Sequence, residues 1–221
     1  LMWTTLSMAL FMVGYCTTTS FGTYYFKYAY GDETMYSVFA GVLGISQLAA
    51  LAVFPKIAAR MSRKKLYSLA TALVVAGYVV FFFAPMNMIP IAVAGVLLFV
   101  GQAFIQTLML MFLADTVEYG QWKLGKRNDS ITFSIQPLIN KLGAAMATGV
   151  VTLTLIVSGI NRAESAADVS ARGLLMMKAA MMVLPLLSIA LGYVVYLKKY
   201  KIDEEMYGEI VKHLKRRGDI Q

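Results

Sequence analysis

Residues 114–141 read ADTVEYGQWKLGKRNDSITFSIQPLINK. They follow residues 66–114, a run of 49 with no formal charge. Asp115, Glu118, Lys123, Lys126, Arg127 and Asp129 then arrive within 15 positions. The chain turns apolar again at Ile131, yet Lys141 sits inside the new run. Two questions follow: why so oily a chain makes a charged corner, and why it keeps one lysine beyond it.

Composition answers the first in outline. The chain is 59% hydrophobic and only 14% charged, whereas a soluble domain carries roughly a quarter charged residues. Further uncharged runs cover 1–26, 34–55, 142–161 and 179–197. A membrane-spanning helix needs about 20 mostly apolar residues. Lipid offers no water to backbone groups, so a span is a helix or a closed barrel strand, and long non-alternating runs are helices. The sequence predicts an all-α membrane protein with six spans at about 3–30, 35–59, 66–84, 89–113, 131–160 and 173–197. Residues 1–197 form the bundle and 198–221 an amphipathic tail. In that tail Ile202, Met206, Ile210 and Leu214 recur every four residues, with acids at its start and bases at its end to suit the helix dipole.

The net charge of +8 is unevenly spread. Segments 60–65, 115–129 and 198–221 hold 14 basic residues, and the alternate loops hold three, Lys27, Arg162 and Arg172. That bias places the basic segments, and both ends of the six-helix set, in the cytoplasm. The excess is topological and attracts anionic lipid heads; it is not a nucleic-acid patch. One cysteine, Cys16, permits no internal disulfide, and a single histidine, His213, excludes a histidine-built metal site. The chain opens at Leu1 with no basic residue before its first helix and no signal-peptide n-region, as expected of a piece of a longer chain.

Lys141 lies about 15 Å into a helix starting near Ile131, at the midplane of the lipid core. A lysine there costs about 2.5–3.5 kcal/mol on insertion scales, so it must meet water or a partner. Ser134, Pro137, Lys141, Ala144 and Thr148 share its face, and Gln136 and Asn140 flank it. No acid of this chain lies at that depth, so a carboxylate partner has to come from elsewhere. Packing glue against such a carboxylate is the plainer role for the lysine; a wall of a wet cavity is the functional one. Gln102 and Gln106 share a face of the fourth span, as glue between helices or as cavity groups. Phe21, Tyr24, Tyr25, Phe26, Tyr28 and Tyr30 crowd the end of the first span. They suit an aromatic belt or a platform for a sugar face. The small, hydroxyl-rich stretch from Gly14 to Gly22 suits close helix contact. No paired acids, Cys/His cluster or nucleophile–base set lies at membrane depth, which argues against an enzyme.

The motif ADTVEYGQWKLGKR resembles the loop signature of the glycoside–pentoside–hexuronide:cation symporters, the melibiose-permease-like branch of the major facilitator superfamily. YYFKYAYGDE, VFPKIAARMSRKKLY and the SITFSIQ…K run are similar to the same family. The resemblance implies the carboxy-terminal half of a twelve-helix fold in a bacterial cytoplasmic membrane, with the amino-terminal half and lipid as partners. It implies sugar transport coupled to Na+, H+ or Li+, with no cofactor. Lys141, Gln136, Asn140 and Gln106 match substrate- or cation-site positions, with Gln102 and Tyr25 as further candidates. Asp115, Glu118 and Arg127 match a cytoplasmic gate that pairs across the two halves. Proline at 137 and glutamine at 106 depart from a sugar-binding relative. A non-transporting sensor and an uncoupled facilitator on the same fold are the alternatives.

Overall fold

The computed structural model describes residues 1–219. It is a bundle of seven helices: α1 (Met2–Tyr24), α2 (Met35–Ala58), α3 (Arg63–Phe83), α4 (Met88–Leu124), α5 (Asp129–Ser158), α6 (Ala171–Lys199) and the short α7 (Glu204–Arg216). Each of the six predicted spans falls on one of the first six. By length and composition α2 to α6 can cross a membrane. α1 is long enough at 23 residues but is not among these five, because threonines and serines dilute its apolar surface.

Those hydroxyls bind backbone carbonyls, and several reach across to α6. Ser7 donates to the Gly192 carbonyl at 2.8 Å, and Ser188 of α6 donates back to Leu10 at 2.7 Å. Thr18 meets the Met181 carbonyl at 3.1 Å. Gly14 and Gly192 allow this approach: a Cβ on Gly192 would stand 2.9 Å from the Ser7 carbonyl. Small residues bring two backbones close enough to bond, as membrane helices commonly do.

The packing has an internal symmetry. α1 packs most extensively on α5 and α6, while α4 packs on α3 and α2. The first helix of each run of three is thus embraced by the second and third of the other. α2 and α5 flank the bundle. α5 buries only the stripe Thr132, Ile139, Gly143, Ala147 and Val151, and α3 and α6 meet behind.

Two features differ from expectation. α1 does not end as a regular helix: Tyr25–Tyr30 form a turn of π-helix that stops at Gly31, whose φ of 88° favours glycine. α4 runs on through the charged corner to Leu124, so residues 115–124 are helix rather than loop. It is closed by Gly125 with φ 68°, whose N–H bonds the Gln121 carbonyl at 2.9 Å. Its buried Asp115, Thr116, Val117 and Gln121 explain the extension, since they give the polar segment an inner face. The amphipathic tail forms α7 as expected, lying against α4 with Ile210 and Leu214 buried.

Candidate functional site

A cleft of about 390 Å³ opens between α1, α2, α4 and α5. Its polar wall is Tyr15, Gln47, Gln106, Thr107, Gln136 and Asn140, and its apolar wall includes Met8, Met12 and Met109. Gln106 stands halfway along α4, Gln47 halfway along α2, and Gln136 and Asn140 in the first half of α5. The side-chain amides that find a partner within the described residues are those of Asn87, Gln102 and Gln121, all outside the cleft. The four cleft amides keep their donors and acceptors for a solute or water, which is how a pocket gains polar specificity. Thr107 contributes less, because its hydroxyl donates back to the Ala103 carbonyl at 2.9 Å.

The structure therefore brings Gln106, Gln136 and Asn140 together and adds Gln47 and Tyr15. The signal for Gln47 was in the sequence, as a lone amide in the apolar run 34–55. Tyr15 had none, being one tyrosine among 13.

Lys141 neighbours the cleft without lining it. It is exposed, as are Ser134, Pro137, Ala144 and Thr148 on the same face. The ion pairs among the described residues are Arg63–Asp115, Arg127–Asp129 and Arg217–Asp219. This lysine, near the middle of α5, thus has no counter-charge within them.

Gln102 and Tyr25 lie elsewhere. Gln102 is fully buried, its amide nitrogen 3.4 Å from the Tyr78 hydroxyl, which lies 2.6 Å from Thr18. It ties α4 to α3 and α1 behind the cleft. Tyr25 is also fully buried, edge-on to Phe26 and Phe81, with its hydroxyl 3.8 Å from the Met86 sulfur. Four residues separate Gln102 from Gln106, and i, i+4 spacing leaves them about 40° apart around the helix. α3 covers the first and leaves the second open.

The charged corner is organised from inside the chain. The Asp115 carboxylate is buried, pairs with Arg63 at the start of α3 and accepts from the Tyr200 hydroxyl at 2.9 Å. Arg63 also lies 4.6 Å from the centre of the Tyr207 ring. Burial, then the neighbouring Glu118 carboxylate, pushes the Tyr207 phenol up to about 12. One Glu118 oxygen is buried without a partner. Arg127 donates to Asp129 at 2.6 Å and to Gln121 at 3.1 Å. Asp115, expected to pair across two halves, is held by α3 because the continuing α4 turns it inward.

A bundle of long apolar helices with a ligand-sized, partly polar cleft between them is the build of a membrane carrier. The chain belongs to the family described as MFS/sugar transport protein, whose model matches residues 1–204. Its members are transporters and not enzymes. The chain is 31% identical to the raffinose carrier protein of Pediococcus pentosaceus over 216 residues, 98% of this chain and 34% of that one. It is 30% identical to the lactose permease of Lactobacillus delbrueckii subsp. bulgaricus over 97% of this chain and 34% of the relative. The isoprimeverose transporter of Lactiplantibacillus pentosus is 28% identical over 73% of this chain and 34% of its own. The chain spans about a third of the length of these curated relatives. They bear out the resemblance to glycoside–pentoside–hexuronide:cation symporters.

Proposed function

We propose that these residues form the carboxy-terminal six-helix half of a twelve-helix sugar:cation symporter, with α1 as a sixth span. The observation that carries this is the cleft: four amides unpartnered within the described residues, beside an α5 face whose lysine has no acid among them. An amino-terminal half seated on α1, α2, α4 and α5 would close that cleft and supply the carboxylates. Relatives that carry raffinose, lactose and isoprimeverose point to a glycoside as the solute. Its hydroxyls match amide donors and acceptors.

In this mechanism the solute binds between two halves that rock about it. Gln106, Gln136, Asn140 and Gln47 hold sugar hydroxyls from one side. Na+, H+ or Li+ neutralises carboxylates of the other half, and Lys141 responds by gaining or losing its pairing with them. At the basic end, which on this reading faces the cytoplasm of a bacterial cell, Arg63–Asp115 fixes a platform. The half-buried Glu118 and the exposed Arg127 flank the surface offered to the partner half and form the inner gate. Exposed pairs of this kind hold by only about 0–1 kcal/mol each, which suits a contact that breaks every cycle.

The test is uptake by the intact protein in vesicles. An imposed cation gradient drives accumulation of raffinose, lactose or isoprimeverose in the parent protein. Lys141→Val abolishes accumulation yet retains counterflow exchange. Gradient-driven accumulation that survives in Lys141→Val removes the role given to the lysine. A parent protein that neither accumulates nor exchanges any of these sugars overturns the transport reading.

A further inference from the structure

The face opposite the cleft carries a second concavity. Between α3 and α6 runs an apolar groove of about 630 Å³. Its walls are cut low by Ala72, Ala76 and Ala190, and Val75 and Val194 add apolar surface. It extends from Ser68 to Val80 on α3, about 18 Å of helix rise, long enough for most of an acyl chain. At the Ser68 end the Ser68 and Tyr193 hydroxyls bond across it at 2.6 Å.

One turn further along both helices lies a smaller cleft of about 150 Å³, lined by Arg63, Lys64, Leu197, Tyr200 and Lys201 among others. The charges there are unequally committed. Arg63 is paired with Asp115. Asp203 accepts from the Met206 N–H at 2.8 Å, and Glu204 accepts from the Arg63 N–H. Lys64 and Lys201 are exposed and stand outside the ion pairs among the described residues, as do Lys65 and Lys198 beside them. The groove therefore ends at four exposed ammonium groups, with the Asp203 and Glu204 carboxylates lining the same cleft and each taken up by a backbone N–H.

We propose that the α3–α6 groove is a binding site for one anionic phospholipid. Its acyl chain lies along the alanine-lined groove, and its phosphate is held by Lys64 and Lys201. A flat helix pair contacts lipid without preference. Here a channel of acyl-chain length meets uncommitted positive charge at the depth where headgroups sit, and that combination selects both parts of one molecule. Each lysine near a membrane surface contributes about fivefold toward anionic lipid.

Native mass spectrometry of the intact protein in detergent tests this, with dioleoyl phosphatidylglycerol and dioleoyl phosphatidylcholine as probes. The parent protein binds one phosphatidylglycerol at least tenfold more tightly than phosphatidylcholine. Lys64→Ser with Lys201→Ser weakens that binding about 30-fold and leaves phosphatidylcholine unchanged. Ala72→Phe with Ala76→Phe, which fills the groove from its open side, weakens both lipids. Equal affinity for the two lipids in the parent overturns the proposal, as does unchanged phosphatidylglycerol binding in either variant. Should the phenylalanine pair fail to fold, the lysine pair, on exposed side chains, decides alone. No sugar enters the measurement, so its outcome is separate from that of the uptake assay.

Discussion

Asp115→Asn separates an interior staple from a freely pairing gate charge. The amide keeps the shape of the carboxylate and can still accept from Arg63 and Tyr200, so the change removes charge and little else. Asp115 is 2% exposed and the Arg63 side chain 24%. Breaking a fully buried pair costs about 3–5 kcal/mol. Arg63 reaches solvent in part, and solvent screening lowers the figure to about 2–3 kcal/mol. Unfolding of the intact protein by SDS titration reads that loss. The decisive comparison is a cycle with Arg63→Gln. If the two charges stabilise one another inside this chain, the double variant loses less than the summed single variants by about 1–2 kcal/mol. Additivity within about 0.5 kcal/mol, or an Asp115→Asn protein as stable as the parent, refutes the assignment and returns Asp115 to a partner outside the chain.

A Cβ on Gly101 would stand 2.6 Å from the Ala70 carbonyl oxygen, and one on Gly120 would meet nothing within 4 Å. Gly101→Ala therefore lowers stability by about 1–3 kcal/mol against alanine's helix preference, and Gly120→Ala does not; equal effects in the same titration refute the close α3–α4 contact. Leu214→Asp removes a fully buried anchor of α7, worth about 1.5–3 kcal/mol, and raises tryptic cleavage after Lys201 at least tenfold; unchanged cleavage shows that α7 is held by other contacts. Gln136→Leu weakens sugar binding in equilibrium dialysis about tenfold by removing one hydrogen-bonding group, whereas Gln102→Leu, altered behind the cleft, leaves it within about twofold.

Uncharged runs located all six long helices because the cost of leaving backbone and charge in lipid is large and local. They located the end of α4 poorly for the same reason. Beyond the lipid a helix needs no apolarity, only an inner face and a stop, and the stop was the Gly125 that follows Leu124. Lys141 was legible from depth and charge alone, and its open face from the 3, 4, 3, 4 spacing of its neighbours. Gln106, Gln136 and Asn140 were legible as polar groups within spans. Spacing could not separate Gln106 from Gln102, since which side of α4 is covered depends on α3 and its Tyr78. The tyrosines at the end of α1 misled in a similar way: Tyr25 packs into the core because the π-turn rotates it inward, and no local pattern announces that turn. Arg63 escaped notice because charge bias alone accounted for its loop; its pairing with Asp115 joins residues 52 apart in sequence.

The exchange of first helices has a consequence during synthesis. Of these six helices α1 is made before the others, alone falls short of a membrane span by composition, and settles against α5 and α6, the last two of the six. Until they arrive, Ser7 lacks the Gly192 carbonyl it donates to, and the face around Gly14 lacks the helix it packs against. A nascent chain stalled after α4 would hold α2, α3 and α4 already assembled and α1 still unclaimed, so that the earliest of these six helices is also the one most open to a membrane-embedded chaperone or protease.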